Sequence, residues 1–138
     1  MKVLYTAIVQ AEGGREGRVQ SLDGNLDVNL ALPKELGGAG DAGSNPEQLL
    51  ASGWAACFQN AMHLVAKAQK LDLTDSSVTA EVDLGMTDDG GFQLAGRLLV
   101  SVPELDSETA NKLVDKTHEV CPISKALDGN IEVELTVE

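Results

Sequence analysis

A chain of 138 residues, 43% of them hydrophobic and 23% charged, has the size and composition of one globular domain spanning residues 1 to 138, which excludes a multi-domain machine and a disordered tail. Its 22 acidic residues face only 10 Lys and Arg, a formal net charge of -12 with no basic stripe, so nucleic acid and anionic membrane surfaces are poor partners. No apolar run approaches membrane-spanning length, and Met1-Lys2-Val3 leads into an alternating segment instead of a secretion signal; the expected compartment is the cytoplasm.

Val3, Tyr5, Ala7 and Val9 share one parity within residues 2 to 10, and Leu26, Val28, Leu30 and Leu32 alternate with Asp27, Asn29 and Ala31. Both segments predict strands. Turn signals at Gly13-Gly14 and Asp23-Gly24-Asn25 leave Gly17 to Leu22 as a short middle strand with Arg18 near its start, so the first third predicts a meander. Residues 33 to 44, with Pro33, Gly37, Gly38, Gly40 and Gly43, predict a long connection. Gly38 to Gly43 match GxGxxG letter for letter, but an antiparallel meander precedes them and no βαβ spacing follows, so the match is read as accidental.

Asn45 suits an N-cap, Pro46 the first helical position and Gln48 a capping box, predicting a helix that runs to about Gln69. Leu49, Leu50, Trp54, Ala55, Ala56, Cys57, Phe58, Ala61, Met62, Leu64, Val65 and Ala66 cover more than one face, which predicts burial nearly all round and cover from a second subunit. Alternation over 78 to 86 and 92 to 102 around Asp88-Asp89-Gly90-Gly91 predicts a long hairpin. Ser107 is read as the cap of a second helix that ends at Pro122 and carries Cys121 on its packed face; Ile131, Val133, Leu135 and Val137 predict a last strand with one wet face. The fold class is α+β, in the order βββ-α-ββ-α-β.

Cys57 and Cys121 form neither a CxxC nor a dense disulfide framework, and in a reducing compartment such a pair is either inert or redox-active. A cysteine within a buried helix is a small core hydrophobe or a nucleophile; Cys121, where the chain turns at Pro122, is a packing residue or a thiol within reach of another element. Zinc fails on geometry: the six residues from Cys57 to His63 turn the side chain by about 240° on a helix, so no metal site is expected. Arg18 and Glu47 are either solvated surface or, if a guanidinium stands beside a cysteine, the cause of a lowered thiol pKa.

Gly17-Arg18, Asn45-Pro46-Glu47-Gln48-Leu49, Ala55-Ala56-Cys57-Phe58, Val120-Cys121-Pro122-Ile123-Ser124 and Gly129-Asn130-Ile131 occur in order and spacing over most of the chain. Together they resemble the organic hydroperoxide resistance branch of the Ohr/OsmC family. The resemblance implies an OsmC/Ohr-like fold with a long buried central helix, an intertwined homodimer, no cofactor, and a thiol-dependent peroxidase that reduces organic hydroperoxides, fatty-acid ones included. It makes Cys57 the peroxidatic cysteine, Cys121 the resolving one, Arg18 the stabiliser of thiolate and peroxide, and Glu47 the group that orients Arg18. Leu50, Trp54, Phe58 and Met62 would enclose the substrate, and an external dithiol, a lipoylated protein, would reopen the Cys57–Cys121 disulfide. Two alternatives stay open: the OsmC branch with broader substrates, and a non-catalytic dimeric protein that binds apolar ligands.

Two features qualify the resemblance. Ile123 stands where tyrosine is common, and Leu127-Asp128 where Thr-Arg is frequent, which bears on how a reductant docks. Glu47 and Cys57 lie about 15 Å apart along a straight helix, beyond what one arginine serves comfortably. Either the helix bends near Gly53, or Arg18 and Glu47 of one subunit complete the site around Cys57 of the other.

Overall fold

A computed structural model describes every residue from Met1 to Glu138 and places them in two units, Met1–Leu49 and Leu50–Glu138. In the first unit, β1 (Val9–Glu12), β2 (Arg18–Ser21) and β3 (Asp27–Asn29) form an antiparallel sheet in the order β1-β2-β3. The meander is as expected, but its first strand begins at Val9 rather than near Lys2. The partner strand sets this limit. β2 ends at Ser21 and the chain turns through Asp23, Gly24 and Asn25; Leu22 N–H donates to the Ile8 carbonyl at 3.0 Å, and no ladder pairing precedes that rung. Residues 1 to 8 therefore lie outside any strand, with Leu4 and Tyr5 strongly exposed.

The long connection holds one 3-10 turn, Lys34–Leu36, and returns to the sheet by a parallel bridge between Leu30 and Ser44. Its glycines serve its own close packing. A Cβ on Gly38 would lie 1.7 Å from the Leu32 carbonyl oxygen, and one on Gly43 would lie 2.7 Å from Ala31 N. The strand that feeds this loop belongs to an antiparallel sheet, so the GxGxxG letters have no dinucleotide-binding context.

Helix α1 (Pro46–Ala68) starts as its sequence dictates, with Gln48 N–H donating to Asn45 Oδ1 at 2.9 Å, and it runs unbroken through Gly53. Gln48 does not close a capping box, because its Oε1 accepts from Ser44 Oγ instead. In the second unit α1 buries one stripe, Trp54, Phe58, Ala61, Met62 and Ala66, at helical spacing. The opposite positions Gly53, Ala56, Asn60 and Leu64 are exposed, so the all-round burial read from composition is not reached within one chain.

That stripe packs with a three-stranded sheet of order β4-β5-β6, in which β4 (Ser77–Met86) and β5 (Phe92–Ser101) make the expected hairpin. β6 (Glu132–Val137) pairs parallel to β5, its Glu132, Glu134 and Thr136 exposed and the residues between them half-buried. Leu98, Val100 and Val102, alternating on and just past β5, meet Leu113 and Val114 of α2 (Ser107–Val120) in the same core. Each fully buried Leu or Val contributes about 1.5–3 kcal/mol. The cap of α2 is Asp106, not Ser107: the Asp106 carboxylate accepts from Thr109 N–H at 3.0 Å, and Ser107 is the first helical residue.

Pro122 does more than end α2. Its ring disfavours helical geometry at Cys121, which is extended at φ -65° and ψ 120°, and its fixed φ suits the first position of a further helix. A short α3 (Pro122–Leu127) follows, an element absent from the sequence reading. The observed order is βββ-α-ββ-α-α-β.

Candidate functional site

Two constellations stand out, one in each unit. In the first, the segment Gly13-Gly14-Arg15-Glu16-Gly17 forms a 3-10 turn between β1 and β2, with Gly13 and Gly14 at positive φ. A Cβ on Gly17 would lie 1.7 Å from the Glu12 carbonyl oxygen, so glycine is required there. This turn aims Arg15 at Glu47 in the first turn of α1. The two form a forked pair, Nη1 to Oε2 at 2.8 Å and Nη2 to Oε1 at 2.5 Å. The Arg15 guanidinium holds the Glu47 carboxyl below the usual carboxylate range, against the opposing effect of partial burial.

Arg18, the arginine expected to pair with Glu47, does not do so. It lies on β2 opposite Asn29, and its guanidinium takes Asp27, two residues along β3, with Nε to Oδ1 at 2.6 Å. Both partners are about half exposed, an ordinary diagonal cross-strand pair that solvent screens. The arginine that Glu47 orients is thus Arg15. The sequence signal was present: an arginine framed by Gly13, Gly14 and Gly17 sits on a backbone-determined turn, whereas Arg18 sits on a strand whose partner already supplies an acid.

The depressed Glu47 value has a consequence for stability. The contribution of the Arg15–Glu47 pair is complete above the ordinary glutamate range, at about pH 4.3, and is lost as pH falls through the lower native value. The stability difference between the unsubstituted chain and Glu47→Gln, measured by urea unfolding, is expected to be constant near neutrality and to shrink in acid. A difference independent of pH across the acid range would contradict the assignment.

In the second unit the two cysteines come together. Cys57 lies on α1 beside the buried stripe and is partly accessible, while Cys121 is fully buried and forms the N-cap of α3. Their sulfurs stand 3.7 Å apart, in contact but unbonded. A disulfide has an S–S distance of about 2.05 Å, so closure requires a further short approach of the two sulfurs. Burial pushes the Cys57 thiol up; the Ile123 backbone N–H pulls the other way, and the neighbouring Cys121 adds to the rise. Ser124 N–H donates to the Cys121 sulfur at 3.5 Å, and Ser124 Oγ accepts from Trp54 Nε1 at 2.9 Å, entirely within the core.

The expected substrate enclosure is corrected by the same packing. Trp54, Phe58 and Met62 have no exposed surface and belong to the hydrophobic core, so they line no space open to a substrate in this chain. Leu50 is half-buried, as is Ile123, whose side chain packs against that core. No group of three His, Cys, Asp or Glu residues is arranged to hold a metal ion. His118 Nε2 is 3.7 Å from Asp128 Oδ1, and its buried Nδ1 has no partner. No helix is long and apolar enough to cross a membrane.

Residues 38–136 match the family described as OsmC-like protein. The chain is 51% identical over 137 residues to the organic hydroperoxide resistance protein of Xanthomonas axonopodis pv. citri, covering 99% of this chain and 96% of that protein. It is similar to a solved organic hydroperoxide resistance protein of Legionella pneumophila, with a TM-score of 0.94, 49% identity and 99% coverage of both chains. The OhrB structure of Bacillus subtilis gives a TM-score of 0.91 at 44% identity, covering 99% of this chain and all of that one.

Proposed function

Because this chain belongs to the OsmC-like protein family, among relatives named organic hydroperoxide resistance proteins, we propose that it protects against peroxides as a two-cysteine organic hydroperoxide reductase. The observation that carries the reading is the dithiol: a partly accessible sulfur 3.7 Å from a fully buried one. In the first step the Cys57 thiolate attacks a peroxide oxygen. An S–O bond forms, the O–O bond breaks, and the departing alkoxide takes a proton to become an alcohol, leaving Cys57 as a sulfenic acid. The Cys121 sulfur then attacks the Cys57 sulfur; the S–S bond forms and hydroxide leaves, taking the Cys121 proton as water. An external dithiol, such as a lipoylated protein, returns two electrons and reopens the disulfide.

A thiol pushed up by burial is a poor nucleophile at neutral pH, so the first step needs a cation. Arg15 is the group we assign, in place of Arg18, because Glu47 fixes its guanidinium through two hydrogen bonds and leaves the remaining donors free for a thiolate or peroxide oxygen. The assembly is a homodimer in which Arg15 and Glu47 of one protomer serve Cys57 of its partner. In support, Val3, Leu4, Tyr5 and Ile8 near the N-terminus and Leu64 on α1 are all more than half exposed, apolar side chains that a second chain would cover. Partly buried Leu50 and Ile123 are the apolar side chains left for the substrate's organic group.

The test is steady-state consumption of cumene hydroperoxide with dihydrolipoamide as reductant and hydrogen peroxide alongside, on protein whose mass is measured by sedimentation. Turnover that favours the organic peroxide, on a dimer, is expected. Full activity from a monomer contradicts the shared site, and absence of turnover with both peroxides contradicts the function.

A further inference from the structure

Behind the two sulfurs, three elements meet at one hydrogen bond. Trp54 of α1 and Ser124 in the first turn of α3 are both completely buried, and the indole Nε1–H donates to Ser124 Oγ at 2.9 Å. On its other side the indole rests on β5 at Gly96, where a Cβ would lie 2.6 Å from Trp54 Cζ3 and 3.0 Å from Cη2. The ring therefore has a hard backstop, and its N–H a fixed position. From Ser124 the connection continues to the reactive pair: Ser124 N–H donates to the Cys121 sulfur at 3.5 Å, and the Ile123 N–H before it serves the Cys57 sulfur.

We propose, resting on the two-cysteine reading above, that the Trp54–Ser124 hydrogen bond is a positioning device for the second chemical step: it holds the start of α3 so that Cys121 stays within closing distance of the Cys57 sulfenic acid. Its effect is on the partition of that acid. With Cys121 in place, its sulfur attacks Cys57, the S–O bond breaks and water leaves. With Cys121 displaced, a second hydroperoxide oxidises the sulfenic acid to sulfinic acid, transferring one oxygen and leaving as an alcohol. Ser124 Oγ itself contacts Trp54 and neither sulfur, so the first step is reached only indirectly, through the Ile123 N–H at the start of the same helix. Ile123 and Leu127 pack α3 against the core, and the Trp54–Ser124 bond adds a directional hold at its first turn; displacement of a reacting atom by about 1 Å costs orders of magnitude in rate.

The full chain, reduced, is mixed with one equivalent of cumene hydroperoxide and quenched at intervals for intact mass, then challenged with excess peroxide. Ser124→Ala is expected to consume the first equivalent with the smaller loss of rate, to form the disulfide about tenfold more slowly or worse, and to accumulate sulfinate on Cys57 under excess. Trp54→Phe removes the same donor while keeping a ring, and should shift the partition in the same direction. The double substitution should be no worse than the more severe single one, since both delete one bond. Disulfide formation at the unsubstituted rate in Ser124→Ala, or fully additive effects in the double variant, would overturn the tether while leaving the peroxidase reading intact. If the unsubstituted chain itself forms no disulfide, the two-cysteine reading falls and the tether with it. Should Ser124→Ala fail to fold, as judged by circular dichroism, Trp54→Phe decides alone by the same partition.

Discussion

Arg15→Ala is expected to lower kcat/KM for an organic hydroperoxide by about 10²- to 10³-fold, the usual cost of removing one preorganised charge-stabilising donor from a reacting centre. Arg18→Ala is expected to stay near the unsubstituted rate, although the two arginines lie three residues apart on either side of Gly17. The contrast follows from what holds each guanidinium. Arg15 is fixed by Glu47 in a partly buried forked pair on a glycine-framed turn; Arg18 is held by Asp27 at the solvent-exposed side of a two-strand ladder. Glu47→Gln should fall between them, because it keeps one acceptor for Arg15 but loses the charge that fixes the guanidinium. The measurement is initial rate at limiting peroxide with each variant. Equal losses from Arg15→Ala and Arg18→Ala, or loss from Arg18→Ala alone, would contradict the assignment.

The cysteine variants should separate the two steps. Cys57→Ser is expected to bring peroxide consumption down to the uncatalysed background, since the hydroxyl lacks the nucleophilicity and acidity of a thiol. Cys121→Ser should consume one equivalent of peroxide per chain and then stall, with sulfinate accumulating on Cys57 as more peroxide is added. The buried position of Cys121 bears on this outcome: a peroxide or a bulky reagent reaches the partly accessible Cys57 first. If the roles were exchanged, Cys57→Ser would retain the single turnover and Cys121→Ser would be silent.

Much of the fold was legible because its signals are local. Asn45 followed by Pro46 and Gln48 marks a helix start by chemistry that needs no tertiary context, and its Oδ1 accepts the Gln48 N–H. The hairpin from Ser77 to Ser101 declares itself by alternation around Asp88-Asp89-Gly90-Gly91. The misses are where partners decide. Residues 2 to 8 alternate like a strand, but β2 turns away at Ser21 and offers them no ladder. α3 has too few residues to show a period, and only Pro122 at its first position hinted that a helix could begin there. The choice between Asp106 and Ser107 as cap is a one-residue question that a hydrogen bond settles and composition does not.

The site divides along the same line. Cys57, Cys121 and Glu47 carry side chains whose chemistry is visible at once, and motif spacing drew them together. Which arginine meets Glu47 depends on the direction in which a five-residue turn points, information held in the backbone of Gly13, Gly14 and Gly17. Trp54, Phe58 and Met62 recur every four residues, the spacing of a helix face, and periodicity alone does not distinguish a face that lines a cavity from one that fills a core. Their burial answers the question, and it gives Trp54 a different office, as the donor that anchors Ser124.

The central claim is that the contact between the Cys57 and Cys121 sulfurs is a working redox pair. The direct measurement is the number of free thiols per chain before and after one equivalent of cumene hydroperoxide, with hydrogen peroxide alongside and Cys57→Ser as control. Loss of both thiols, faster with the organic peroxide, absent in Cys57→Ser and reversed by a dithiol, is the result expected. Two thiols persisting after the peroxide would make the cysteines packing residues and contradict the account.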